Sequence, residues 1–275
     1  MPSKKQISIN WREDAANWFD SMKAAGLSDM TIRTRRQQIM VMSNGLKKSP
    51  LDVTGQRLVT WFAGRKWKPE TRKGYRNAAS SFFGWLKQTG RRPDDPSELL
   101  PSVRRPAVHP HPCPDRIILA ALGKANKTET MMIRLGAECG LRRAEIAQVN
   151  AADVMDDLLG HSLIVHGKGD KQRIVPLPDD LADQITQHGG WLFPGRWTGH
   201  VEPSYVSKHV TRLLGDGWST HSLRHRYATK TYESTHDLYV VAKLLGHESV
   251  ETTQRYVAMP DSRLRSAMHD VQLVS

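Results

Sequence analysis

Cysteine is nearly absent. Cys113 and Cys139 are the two in 275 residues, too few for a disulfide framework or a cysteine-based metal site. No apolar run approaches the roughly 20 residues a membrane helix needs. The opening MPSKKQISINWRED is basic, but no apolar segment follows it, so it does not read as a secretory signal. No glycine-rich loop of the GxxxxGKS/T kind occurs, which argues against ATP as a cofactor. No internal repeat or low-complexity run stands out. The expectation is a globular protein of the cytoplasm with no membrane partner. Its 39% hydrophobic and 25% charged residues suit a real core, and its length suits two domains.

Negative charge is scarce in the first part of the chain. Residues 1–113 hold 21 Lys/Arg against 9 Asp/Glu, whereas residues 114–275 hold 19 of each. The whole net charge of +12 therefore lies in the first part. Such a segment attracts a polyanion and loses affinity as salt rises. Aromatics alternate with the basic residues in WFAGRKWKPETRKGYR, which favours nucleic acid over a membrane surface.

This basic part reads as helices. In WREDAANWFDSMKAAG, the apolar residues Ala15, Trp18, Phe19 and Met22 fall at helical spacing. Ser28 or Asp29 can cap the next helix, which buries Ile32, Ile39 and Met42. A third follows Thr54 or Gly55. A fourth starts near Pro69, with Glu70 in its first turn and Ala78, Phe82, Phe83, Trp85 and Leu86 as its core stripe. Residues 91–114 then hold seven of the fifteen prolines. Proline removes amide donors and disfavours helix before it, so residues 93–113 are expected to be a linker between domains at 1–92 and 114–275. His109 and His111 within it read as solvated loop residues rather than metal ligands.

The second part is mixed. Residues 115–149 look helical. Ser162–His166 and Gln172–Val175 look like a hairpin around GKGD, and helical patterns return at 178–187, 203–214, 221–232, 237–245 and 250–256. Four segments here carry chemistry. GLRRAEI supplies Arg142 and Glu145. HGKGDKQRIVPL supplies Lys168, with Lys171 as the competing lysine. HSLRHRYAT supplies His221 and Arg224, one helical turn apart. LLGHESVETTQRY supplies His247 and, nine residues on, Tyr256.

Taken in order, these segments resemble the tyrosine recombinases, the phage-integrase and Xer-like family that breaks and rejoins DNA. That family's order is Arg, Lys, His-x-x-Arg, His or Trp, Tyr, and each position has a match. The resemblance covers residues 115–256 by motif and roughly 8–90 by pattern alone. It implies a mainly α fold with a small antiparallel β-sheet. An N-terminal SAM-like helical core-binding domain would precede a C-terminal mixed α+β catalytic domain, the two closing like a C around the duplex.

Chemistry explains why such residues are needed. Breaking a phosphodiester with a protein nucleophile requires that nucleophile, charge stabilisation on a phosphorane-like transition state, a base, and an acid for the leaving oxygen. Arg142 and Arg224 are planar forks that match phosphate oxygens and never lose their charge. Removing one preorganised donor typically costs roughly 3–4 kcal/mol of barrier. Tyr256 needs activation, because only about one tyrosine in a thousand is ionised at pH 7. The resemblance implies that Lys168, at the family's GKG position, protonates the departing 5′-oxygen. It implies that His221 is the acid/base group and that His247 hydrogen-bonds the scissile phosphate. Glu145 either orients Arg142 or a histidine, or is purely structural. Carboxylates are not clustered in the matched boxes, so no metal is expected, and resealing from a phosphotyrosine ester needs no ATP.

The partner implied is double-stranded DNA carrying specific core-type sites. Arg33, Arg36, Lys66, Arg72, Lys73 and Arg76 are expected to contact mainly phosphate, which positions rather than specifies. Replacing Arg72 and Lys73 with Ala is expected to flatten the salt dependence of binding. The tail after Tyr256 places Leu264, Met268 and Val271 on one helical face. In the family such a tail often docks on a neighbouring protomer, which implies a tetramer on two DNA sites and leaves room for an accessory DNA-bending or directionality protein. The helical part starts near residue 8, leaving no room for an arm-binding domain, as expected of a compact phage or mobile-element integrase or an Xer-type enzyme. The rivals are a type IB topoisomerase-like enzyme, disfavoured by the Xer-like boxes, and a catalytically silent DNA-binding accessory protein, disfavoured by the complete residue set.

Overall fold

The structure is a computed structural model that describes residues 6–104, 110–167, 171–247, 252–253 and 256–257. It divides into two compact units, Met1–Ala107 and Val108–Ser275.

In the first unit, α1 (Arg12–Ala24) and α2 (Asp29–Leu46) are joined by a turn whose Ser28 hydroxyl caps α2 by accepting from the Thr31 amide. Thr54 caps α3 (Gly55–Ala63) in the same way, and Pro69 opens α4 (Pro69–Gln88). The expected apolar stripes meet in one core, where Trp11 stacks on Phe82 with centroids 5.2 Å apart and Trp18 meets Phe82 edge-on. Truncating such an aromatic to Ala costs about 3–5 kcal/mol.

Residues 93–100, read above as the start of a linker, pack on this unit. Pro96–Leu99 is a 3-10 turn, Pro96 is buried, and Leu100 joins the core. Buried Arg92 anchors the stretch by donating to the Pro50 and Val53 carbonyls and pairing with Asp94. The prolines break helix without preventing burial.

In the second unit, α5 (Asp115–Leu122), α6 (Lys127–Glu138) and α7 (Arg143–Ala147) precede an antiparallel sheet of β1 (Val154–Asp157), β2 (Gly160–His166) and β3 (Gln172–Leu177) in that order. Leu163 pairs with Val154 on one side and Val175 on the other. Then follow α8 (Asp179–His188), a short hairpin of β4 (Pro194–Gly195) and β5 (Gly199–His200), α9 (Pro203–Leu214), α10 (Thr220–Thr235) and α11 (Leu238–Leu245). Strand β1 and the β4–β5 hairpin escaped the sequence reading, because VMDD lacks both alternation and β-branched richness and is a strand by pairing alone. The second core gathers α5–α9 and the inner faces of β2 and β3, with Leu223 of α10 reaching into it. A smaller cluster, with Ala228, Tyr232, Val241 and Leu245 at its centre, joins α10 to α11 and carries Tyr256 on its edge.

Both cysteines are buried and free, and burial raises the Cys113 thiol to about 11. Among the described residues no helix is long and apolar enough to cross a membrane. The tail residues Leu264, Met268 and Val271 lie outside the described residues, as does His109. His111 stacks on Trp218 at 4.3 Å.

Candidate active site

Helix α10 is the frame of the site. Its spacing sets His221, Arg224 and His225 on one side, since residues three and four apart are neighbours on a helix. Arg224 is 1% exposed. Its guanidinium donates to the carbonyls of Gly140 and Leu245 and to His247 Nε2 at 3.2 Å. Gly140 has φ +65, and a Cβ there would meet Tyr227 at 2.4 Å, so glycine is required where the chain turns to present that carbonyl. Among the described residues, none partners the buried Arg224 Nε beside the cleft. Burial, and then the charge of Arg142, pull the Arg224 pKa down, while Glu145 at 3.8 Å opposes them.

Glu145 ties three elements together. It is the third residue of α7, and its carboxylate accepts from the backbone amide and Nη1 of Arg142, both within 2.8 Å. Both oxygens also accept from Arg173 on β3, each at 2.8 Å. Burial works to raise the Glu145 pKa, but Arg173 first and Arg142 second overcome it and hold the carboxyl down at about 2. Glu145 thus contacts Arg142 through both its backbone and its side chain.

Arg173 is a residue that sequence reasoning missed. Its Nε also donates to the Leu244 carbonyl at 2.9 Å, joining β3 to α11. The signal was present: Arg173, Val175 and Leu177 alternate onto one strand face, and the latter two are buried. A charged residue on a buried face calls for a buried partner.

His247 follows α11 through Gly246, which has φ +65 and whose Cβ would meet Arg173 Cδ at 2.8 Å. Glycine there answers both the left-handed turn and the arginine crossing it. His247 Nδ1 lies 3.0 Å from Thr253 Oγ1. Since Arg224 has only protons to offer Nε2, the ring is neutral with its hydrogen on Nδ1. Burial and then Arg224 push its pKa to about 4. His221 stands at the rim with an open edge. Partial burial, then Arg224 and Arg142, lower its pKa too.

Around the Tyr256 ring lie His221 at 5.1 Å and His247 at 4.7 Å, both tilted or edge-on, and the Arg224 guanidinium at 5.8 Å. His225, also missed in the sequence, lies nearly parallel to the ring at 4.5 Å. Arg142, His221, Arg224 and Tyr256 line a cleft of about 440 Å³, and Arg142 also borders a second of about 660 Å³ with Lys171, Arg173 and His247. Six of the seven expected residues, Arg142, Glu145, His221, Arg224, His247 and Tyr256, thus come together. Lys168 lies outside the described residues, whereas Lys171 is on the second cleft wall.

The residues expected to contact DNA separate by environment. Arg33 and Arg36 line a groove of about 550 Å³ with Arg12 and Phe19, and Arg36 lies over the Phe19 ring at 4.5 Å. Lys66 is exposed and Lys73 half-buried. Arg72 instead donates to the carbonyls of Phe62 and Arg65 at the end of α3, and Arg76 to those of Leu100 and Pro101. Both guanidiniums are thus engaged with backbone carbonyls of the first unit.

Comparison with known proteins follows the same lines. Residues 115–263 match the model of the phage integrase family. The chain is 30% identical to tyrosine recombinase XerD of Proteus mirabilis, over 87% of this chain and 86% of that one. It is 28% identical to tyrosine recombinase XerC of Chromobacterium violaceum, over 90% of each. Among solved structures it resembles a lambda integrase dimer bound to a COC′ core site, with a TM-score of 0.74 and 16% identity, covering 90% of this chain and 77% of that one. It also resembles the XerH site-specific recombinase bound to palindromic difH, with a TM-score of 0.72 and 19% identity, covering 98% and 90%. At these identities the structural likeness speaks for the fold. By family model and by full-length relatives, the chain belongs to the phage integrase family of tyrosine recombinases.

Proposed function

We propose that this protein cleaves and rejoins double-stranded DNA at core-type sites through a 3′-phosphotyrosine on Tyr256, and that it serves integration and excision of a phage or mobile element. One observation carries the reading: the Tyr256 ring shares a cleft with Arg142, His221 and the buried Arg224. The Tyr256 oxygen attacks phosphorus, the bond from phosphorus to the 5′-oxygen breaks, and that oxygen takes a proton from Lys168. Arg142 and Arg224 hold the two non-bridging oxygens as charge builds, and His221 takes the tyrosine proton. A 5′-hydroxyl reverses the step, so neither ATP nor metal takes part.

His247 needs one adjustment to donate to the phosphate. Thr253 Oγ1 can turn from acceptor to donor, which lets the proton sit on Nε2 once phosphate replaces that nitrogen as the acceptor for Arg224. Arg33, Arg36, Lys66 and Lys73 supply phosphate contacts from the first unit. The protein works on DNA in the cytoplasm as an oligomer, four protomers on two sites, docked through the tail after Tyr256. The relatives named XerC and XerD match over most of their length and favour a second reading, the resolution of chromosome or plasmid dimers.

The test is covalent trapping. The protein is incubated with pooled nicked or phosphorothiolate-bearing duplexes, quenched and digested, and adducts are mapped by mass spectrometry with Tyr256→Phe as control. A nucleotide on Tyr256, absent from the control, is expected, and the attached sequence separates a mobile-element site from a chromosomal one. Tight, salt-sensitive DNA binding without an adduct would replace this proposal with a binding-only protein.

A further inference from the structure

The nucleophile of the proposed reaction sits outside α10, yet Arg224, which would hold the phosphate, sits on it. Something must fix the distance between them. His225 is 4% exposed and follows Arg224 directly. Its ring lies against the Tyr256 ring at 4.5 Å and 17°, and His221 meets it edge-on at 4.6 Å. Its Nδ1 lies 3.3 Å from the Tyr256 carbonyl oxygen, which also accepts from Thr229 Oγ1 at 3.5 Å, one helical turn further along α10. A carbonyl only accepts, so Nδ1 carries the hydrogen. His221, Arg224 and Tyr256 line the cleft together with Arg142, whereas His225 does not border it.

We propose that His225 is a positioning residue that, with Thr229, clamps the Tyr256 segment to α10 and sets its hydroxyl toward the phosphate site before DNA arrives. The inference rests on Tyr256 being the nucleophile. Stacking fixes the ring plane, and the carbonyl contacts fix the backbone to which the ring is attached. Both are made to the helix that carries Arg224, so nucleophile and phosphate site share one rigid support. Misplacement by about 1 Å at such a site can cost on the order of 100-fold in rate.

The clamp predicts an asymmetry. Cleavage starts from a free tyrosine that must be held, whereas resealing starts from a tyrosine already held by its bond to phosphorus. In His225→Ala, single-turnover cleavage of the pooled nicked duplexes should fall by about 10- to 100-fold. Resealing of the isolated covalent complex by an added 5′-hydroxyl oligonucleotide should stay within about twofold. His225→Phe keeps the stack and loses the carbonyl contact, and should fall between the two. Equal losses in both directions would mean that His225 is merely structural, and no loss in either would remove it from the site. Both results overturn the clamp while leaving an adduct on Tyr256 in the wild type. Absence of that adduct from the wild-type protein would overturn the nucleophile assignment and the clamp together.

Discussion

Glu145→Gln keeps the side chain's size but removes the charge that Arg142, Arg173 and, more distantly, Arg224 share. The carboxyl is held at about 2 against an ordinary 4.5. At about 1.4 kcal/mol per pKa unit, that difference is worth about 3 kcal/mol at neutral pH. Glu145 is only 5% exposed, so solvent screening takes little away. A depressed carboxylate pKa stabilises the fold above its unfolded value, and the gain disappears as pH falls from about 4.5 toward 2. The variant also leaves Arg173, whose side chain is 10% exposed, with a neutral amide in place of a bidentate partner. Breaking a buried pair from one side typically costs about 3–5 kcal/mol. Urea titration read by amide hydrogen exchange in α6 and α10 reports on this unit by itself. Glu145→Gln should lose about 3 kcal/mol at pH 7, and much less relative to wild type at pH 3. A loss below about 1 kcal/mol at pH 7, or one unchanged by pH, would refute the view that this carboxylate organises the arginines.

Four further outcomes follow from the geometry. His225 and His247 are both pushed to about 4, so the folded state prefers them neutral, and this unit should lose stability as pH drops from about 6.5 toward 4. Imidazole ¹⁵N spectra at pH 5.5 should show both rings neutral with hydrogen on Nδ1, and a protonated ring there would contradict the arrangement. Arg72→Ala should lower the stability of the first unit by about 1.5–3 kcal/mol, because its charged hydrogen bonds close the end of α3. Arg33→Ala should instead leave stability within about 0.5 kcal/mol and reduce the salt slope of DNA binding by about 0.9, as measured by titration at several salt concentrations. Gly246→Ala should destabilise by at least about 1 kcal/mol and slow cleavage, since the left-handed turn and the Arg173 crossing both resist a Cβ; calorimetry and the trapping assay would show it.

The sequence by itself determined the helices of the first unit, their starts to within a residue at Ser28–Asp29 and Thr54–Gly55, and the apolar stripes through Trp18, Ile39 and Phe82. Each of these depends on spacing within a few residues, which fixes which side chains share a helix face. It likewise placed His221 and Arg224 one turn apart and set His247 nine residues before Tyr256. Tertiary structure alone decided what those residues touch. Arg173 reaches Glu145 from 28 residues away and the Leu244 carbonyl from 71. Arg72 and Arg76, which look in the sequence like phosphate ligands, turn inward to backbone carbonyls. Residues 93–100 carry a linker's prolines yet bury Leu100, and His225 becomes the support beneath Tyr256 only when a segment 31 residues on folds back over it. A guanidinium or an imidazole looks the same in sequence whether it will meet a carbonyl, a carboxylate or a phosphate. Its partner is set by long-range packing that no local pattern encodes.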